Sequence, residues 1–218
     1  MSHVRSLSAD VFEVDLDMEE PAALSFEAGQ WVSVPFGPKT VRAYSIASTP
    51  RSAARITLCA DVVPGGLGSG WFRGLAAGTT VEFKAPFGGF VFDRADTRRP
   101  LFVAEEIGIV PIRAMLADLR ETGDDRPATL VYAGGDAARM PYEAELAARA
   151  RASPDFAYHR LVGAADAGAV AAAVATAAGA STDVVAYVSG GAQMIDRVRA
   201  TLMARGLDRK SIRWEKFW

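Results

Sequence analysis

One cysteine and two histidines are all that this chain of 218 residues offers to thiol and soft-metal chemistry. Cys59 alone excludes a disulfide within the chain, and with it any cysteine-ligated iron–sulfur cluster or zinc site built from these residues. In the strand-like run Arg55-Ile56-Thr57-Leu58-Cys59-Ala60 it reads as a small buried hydrophobe. His3 and His159 stand far apart in no ligand-like spacing, so no metal site is expected. Charge of one sign is scarce as well. A formal net charge of −2 leaves no nucleic-acid footprint and no polybasic membrane patch. No apolar run approaches the ~20 residues that span a bilayer. Met1-Ser2-His3-Val4-Arg5 carries no apolar signal core, which points to the cytoplasm. What is left is an ordinary globular mixture, 50% hydrophobic and 23% charged. Its length suits one large domain or two small ones.

The patterning favours two domains, 1–97 and 98–218. Residues 11–16, 31–34, 42–46, 55–60 and 81–84 read as short strands separated by Gly and Pro, the signature of a small antiparallel β-barrel or sandwich. A charged stretch, 93–100, ends in Pro100 and reads as a linker. Beyond it strands at 101–104, 129–133, 156–162 and 183–189 alternate with helical patterns at 141–151, 164–178 and 193–205. The helix opening at Pro111 carries Ile112, Met115, Leu116 and Leu119 on one stripe, and Gly206 closes the last helix. Alternating β and α units imply a parallel sheet covered on both faces.

Three segments of the first half carry chemistry. In Arg42-Ala43-Tyr44-Ser45 a guanidinium, an aromatic ring and a hydroxyl follow one another on a single strand, with Arg42 and Tyr44 on one face. A flavin needs such a set: a cation for phosphate, a flat ring for the isoalloxazine and a hydrogen-bond partner near N5. Pro64-Gly65-Gly66-Leu67-Gly68-Ser69-Gly70 reads as a turn whose bare N–H groups suit an anion. Pro86-Phe87-Gly88-Gly89-Phe90 reads as a tight aromatic turn. Taken singly, the first suits any exposed strand and the second any hairpin.

In the second half the strand at 101–104 runs into Glu105-Glu106-Ile107-Gly108-Ile109-Val110-Pro111 and then a helix. This is a phosphate-cradling βα arrangement with carboxylates in place of small residues. Left unpaired at 4–6 Å, two such charges repel by roughly 3 kcal/mol at an effective dielectric near 20. Three accounts of them stand. Acidic residues before a helix stabilise it by ~0.3–1 kcal/mol each; the carboxylates occupy the anion site and mimic phosphate; or the loop swings and nucleotide still binds weakly.

The order and spacing of these segments resemble the ferredoxin–NADP⁺ reductase superfamily, from Gly29-Gln30 to the C-terminus. The resemblance implies an FAD-binding barrel followed by a pyridine-nucleotide domain. It makes Arg42 a flavin-phosphate ligand, with Ala43 beside it, Tyr44 a ring packed on the isoalloxazine and Ser45 a hydrogen-bond partner near N5. Gly65, Gly66, Leu67 and Ser69 become the second phosphate contact, which favours FAD over FMN. In the family the nucleotide loop runs G-G-T-G-I-A-P. Gly108, Ile109 and Pro111 match it, while Glu105, Glu106 and Ile107 depart. Ser189 stands where the family has a cysteine beside the nicotinamide, and Val131–Asp136 offers no cation for a 2′-phosphate. NADPH is therefore not expected as donor, and any residual use falls to NADH. The ending Trp214-Glu215-Lys216-Phe217-Trp218 resembles the family's E-x-F, with Glu215 as a proton-relay or orienting carboxylate and Trp218 as a cover on the flavin ring.

The expected function is electron transfer between FAD and a separate redox protein (a ferredoxin, a haem protein or an oxygenase component), with NAD(P)H binding weakened or lost. An ordinary NADH-dependent ferredoxin, flavin or oxygenase reductase is the alternative. A non-catalytic flavin-binding subunit or sensor is the third reading, and the intact Arg42, Tyr44, Ser45 and Ser69 speak against it.

Overall fold

The computed structural model describes residues 1–163 and 166–218. The chain divides into two compact units, Met1–Phe92 with Arg113–Thr122, and Asp93–Ile112 with Gly123–Trp218.

The first unit contains strands β1 (His3–Ser6), β2 (Val11–Asp17), β3 (Trp31–Pro35), β4 (Val41–Ser45), β5 (Arg55–Asp61) and β6 (Lys84–Phe87), with helix α1 (Gly66–Gly74) between the last two. They form two three-stranded antiparallel sheets, β1-β2-β5 and β4-β3-β6, linked by a bridge between Ile46 and Leu58. Alternation sends Val14, Leu16, Val32, Val34, Ile56 and Leu58 into one core. Residues 64–70 are not a turn throughout: Gly66 starts α1, because burying Phe72 in the core outweighs the poor helix propensity of its four glycines. The sixth strand is Lys84–Phe87, not 81–84. Phe87 stacks on Trp31 across the β3–β6 pair at 5.0 Å, which draws Pro86 and Phe87 out of the expected turn and into the sheet.

The second unit is an open parallel sheet of β7 (Arg99–Glu105), β8 (Ala128–Gly134), β9 (Phe156–Val162), β10 (Val184–Gly190) and β11 (Ile212–Lys216), in the order β11-β10-β7-β8-β9. Between the strands lie α2 (Ile109–Glu121), α3 (Glu143–Ala152), α4 (Ala167–Ala178) and α5 (Ala192–Ala204). The expected helix at 164–178 starts at Ala167, and Ala164 and Ala165 lie outside the described residues. The run 93–100 is a linker only to Arg98, since Arg99 and Pro100 already belong to β7. The tail is a fifth strand: β11 pairs with β10 in parallel register from Ala186↔Ile212 to Gly190↔Lys216. Strands β7, β8 and β10 are buried along nearly their whole length, which explains their continuous apolar runs.

Strand order decides where a ligand belongs. The chain moves outward from β7 through β8 to β9, then returns to the other side of β7 with β10. This reversal leaves a crevice beyond the carboxyl ends of β7 and β10, the usual ligand position of an open parallel sheet.

One glycine holds the first unit's turn. Gly29 has φ 104°, and a Cβ there would lie 2.1 Å from the Phe90 carbonyl oxygen and 2.5 Å from Met115 Cε. Gly29→Ala should therefore cost on the order of 2–4 kcal/mol, measured by urea unfolding, well beyond an ordinary Gly→Ala change.

Candidate functional site

In the first unit β4 and α1 meet. Arg42 and Tyr44 share a face of β4, and a Cβ on Gly68 would lie 2.7 Å from Tyr44 Oη and 3.5 Å from Arg42 Cγ. Only a glycine lets the first turn of α1 rest on those side chains. The Tyr44 ring packs on Trp71 at 5.5 Å and Phe72 at 5.1 Å, and burial pushes its phenol up to about 12. Arg42 is exposed, and its Nη1 donates to the Val41 carbonyl at 2.9 Å. Gly65 and Gly66, at φ 69° and 85°, shape the entry to α1, with nothing within 4 Å of a Cβ at either. The stem of the exposed Arg42 thus lies beside the N-terminal turn of a nine-residue helix, whose first N–H groups have no helical partner. That donor set fits a pyrophosphate.

Two expected members stand apart from this pair. Ser69 gives its hydroxyl proton to the Gly65 carbonyl at 3.0 Å, so the backbone and not this hydroxyl faces an anion. Ser45, opposite Trp31 in the β3–β4 register, is buried on the other face of β4, a face it shares with the exposed Ala43. Leu67 is 59% exposed at the start of α1.

In the second unit the crevice is lined by the chain's own carboxylates. Glu105 ends β7, and its Oε2 accepts from the Gly191 N–H at 2.8 Å. Gly191 is the N-cap of α5, so the carboxylate occupies the positive end of a thirteen-residue helix. Burial pushes the Glu105 carboxyl above the usual range, against the pull of this hydrogen bond. A charge-assisted bond of this kind contributes ~1.5–3 kcal/mol, so a phosphate that must displace it loses roughly 10- to 150-fold in affinity.

Glu106 starts the 3-10 turn Glu106–Gly108 with φ 45°, a left-handed conformation natural to glycine and strained for glutamate by ~1–3 kcal/mol. Three contacts hold it. Its Oε1 accepts from the Gly135 N–H at 3.2 Å, its Oε2 lies 2.9 Å from Arg139 Nη2, and its carbonyl accepts from Tyr132 Oη at 3.2 Å. Ile107, Gly108 and Pro111 are buried, and Gly108 is pressed against β10, where a Cβ would meet the Ser189 carbonyl oxygen at 2.5 Å.

Two expectations change here. The carboxylates are not unpaired, because each has its own donor, although the Glu106 charge still helps to raise Glu105. A cation does stand past Val131–Asp136: Arg139, on the short turn Ala137–Arg139, five residues beyond the end of β8. The missed signal was a charge lying just outside the motif.

Ser189 and Glu215 are register partners on β10 and β11. Ser189 is fully buried, and neither its Oγ nor Glu215 Oε2 has a hydrogen-bond partner among the described residues. Burial pushes the Glu215 carboxyl up to about 7. Its Oε2 is thus a buried carboxyl oxygen without a donor, on a residue of intermediate exposure. Trp218 is 53% exposed, and its Nε1 would meet a Cβ on Gly191 at 2.6 Å, so the indole lies over the cap that Glu105 occupies.

Residues 1–92 match the oxidoreductase FAD-binding domain, and residues 97–218 match the siderophore-interacting protein family. The chain belongs to the ferredoxin–NADP⁺ reductase superfamily. Among curated members it is 35% identical over 158 residues to ferredoxin–NADP reductase B of Sorangium cellulosum, covering 71% of this chain and 65% of that one. It is 30% identical over 189 residues to a terephthalate 1,2-dioxygenase reductase component of Comamonas, covering 84% and 56%. The chain thus spans less than two thirds of the length of these relatives. The fold is that of an Amycolatopsis cytochrome P450 reductase (TM-score 0.84, 24% identity, covering 99% of this chain and 68% of that one). It is equally that of a ferredoxin NADP⁺ reductase from Neisseria gonorrhoeae (TM-score 0.82, 18% identity, 100% and 96%). No described helix is long and apolar enough to cross a membrane.

The buried acid makes a stability prediction for this superfamily member. A carboxyl whose folded pKa lies near 7 supports the fold fully below its unfolded value near 4.5, and loses that contribution as pH rises through about 7. Glu215→Gln should therefore raise stability at pH 8 by about 1–3 kcal/mol and flatten the fall between pH 5 and 8, read by thermal unfolding across pH.

Proposed function

We propose that this protein is an FAD-dependent oxidoreductase that moves electrons between its flavin and a separate redox protein, with the nicotinamide-nucleotide route closed or strongly weakened by Glu105 and Glu106. One observation carries the reading: the Glu105 carboxylate already accepts the Gly191 N–H at the N-terminus of α5, in the crevice of the strand reversal. Electrons then enter or leave through a protein partner, a ferredoxin, a haem protein or an oxygenase component. Relatives named as reductase components of propane and terephthalate oxygenases support that class of partner.

Residues 1–97 serve the flavin in this reading and 98–218 are the nucleotide-domain half. FAD, when bound, accepts electrons in pairs and releases them singly. Arg42 and the first N–H groups of α1 hold its pyrophosphate, which is why FAD fits better than FMN. Tyr44 supplies a flat wall, while Ser45, expected as the hydrogen-bond partner near N5, lies buried on the opposite face of β4. In the other half, Glu215 exchanges a proton near neutral pH beside the buried Ser189, its register partner on β10. We assign the protein to the cytoplasm.

A second reading keeps NADH as donor through a swing of residues 105–108. The Sorangium relative named as a ferredoxin–NADP reductase favours it. Anaerobic spectroscopy separates the two. Purified protein should carry a flavin band at about 450 nm that dithionite bleaches and NADH or NADPH at about 1 mM does not; bleaching by NADH within seconds would establish the second reading instead. Glu105→Gly with Glu106→Gly should raise NADH affinity roughly tenfold or more. Arg42→Ala should weaken FAD retention roughly 10- to 100-fold, measured by flavin release on dilution.

A further inference from the structure

The Glu106 side chain is placed as a ligand would be. Its two oxygens are divided between two donors, the Gly135 backbone N–H at 3.2 Å and the Arg139 guanidinium at 2.9 Å. A backbone N–H converging with a guanidinium is the donor pair that phosphate oxygens take. The carboxylate is well covered, its side chain 12% exposed, while that of Arg139 keeps 33% exposure at the crevice rim. The backbone supplies no reason for a glutamate here, since φ 45° is glycine's conformation. Its side-chain contacts supply one.

We propose that Arg139 and the Gly135 N–H form a latent phosphate site at the end of β8, and that Glu106 keeps it filled from within the chain and so excludes adenosine nucleotides carrying a 2′-phosphate. The proposal rests on the reading that Glu105 and Glu106 have displaced the nucleotide, and assigns Glu106 a separate task. Glu105 caps α5 beside β10, on the opposite side of β7 from β8. Glu106 acts at the end of β8, where the second strand of such a sheet meets the adenosine ribose. An acidic residue at that point accepts a free 2′-hydroxyl, and an arginine accepts a 2′-phosphate. Arg139 is equipped for the second task, and Glu106 neutralises it. Selectivity against the 2′-phosphate then comes from an occupied arginine, not from a missing one.

Glu106→Gly tests this with little risk to the turn, because glycine suits φ 45°. Calorimetric titration compares adenosine 2′,5′-bisphosphate with ADP, and inorganic phosphate serves as the third probe. The unchanged protein should bind none of them measurably better than the others. Glu106→Gly should bind the 2′,5′-bisphosphate about tenfold more tightly than ADP, and adding Arg139→Ala should bring the two within about twofold. Glu106→Gln, which keeps the size and removes the charge, should show the same direction of preference. Equal affinity for the two nucleotides in both single variants would overturn the proposal. So would a preference that survives Arg139→Ala, or phosphate binding as tight as that of the 2′,5′-bisphosphate. Such a failure beside flavin that NADH still does not bleach leaves the electron-transfer reading intact; bleaching of the unchanged protein by NADH removes that reading whatever the titrations give.

Discussion

The hydrogen bond from the Gly191 N–H to Glu105 ties the carboxyl ends of β7 and β10 together at the place where the strand order reverses. A parallel sheet of this order presents one crevice there, with the N-terminus of α5 beside it. Such a terminus favours an anion whether the anion arrives in solution or comes from the chain itself. Here it comes from the chain. The crowding around Gly108, Gly190 and Gly191 follows, because a carboxylate, the β10 backbone and the Trp218 indole fill the space that glycines normally leave to a ligand.

Filling the crevice from within has a cost that the structure records. Glu105 gives up hydration for one strong donor, and its carboxyl moves upward in pKa despite that donor. Glu106 takes a left-handed backbone and is held there by Arg139, the Gly135 N–H and Tyr132. Strain and burial of this kind persist only where the surroundings over-determine them. In the flavin-type half Arg42 stays exposed beside the start of α1, and the small residue at Gly68 keeps that approach open.

Much of this was legible in the residues. Periodicity separated the antiparallel half from the alternating half, and the buried stripe of α2 matches the predicted Ile112, Met115, Leu116 and Leu119. Arg42 with Tyr44, and Glu105 with Glu106, were found as motifs because each lies within a few consecutive residues. Where reading failed, the deciding contact lay far along the chain. Helix α1 depends on Phe72 reaching the barrel core, and β6 on the Phe87–Trp31 stack. Strand β11 is too short and mixed to announce itself without β10 beside it.

By itself the sequence determined which groups are present and in what order: a cation and ring on one strand, and two carboxylates where a phosphate loop has small residues. Local chemistry and side-chain period suffice for that. Only the tertiary structure decided what those carboxylates touch. Glu105 reaches a donor 86 residues away, Glu106 meets one 29 residues away, and Glu215 is an acid left without a partner for Oε2. Partners so distant in sequence become neighbours through strand order alone, and strand order is set by how the whole sheet buries its faces.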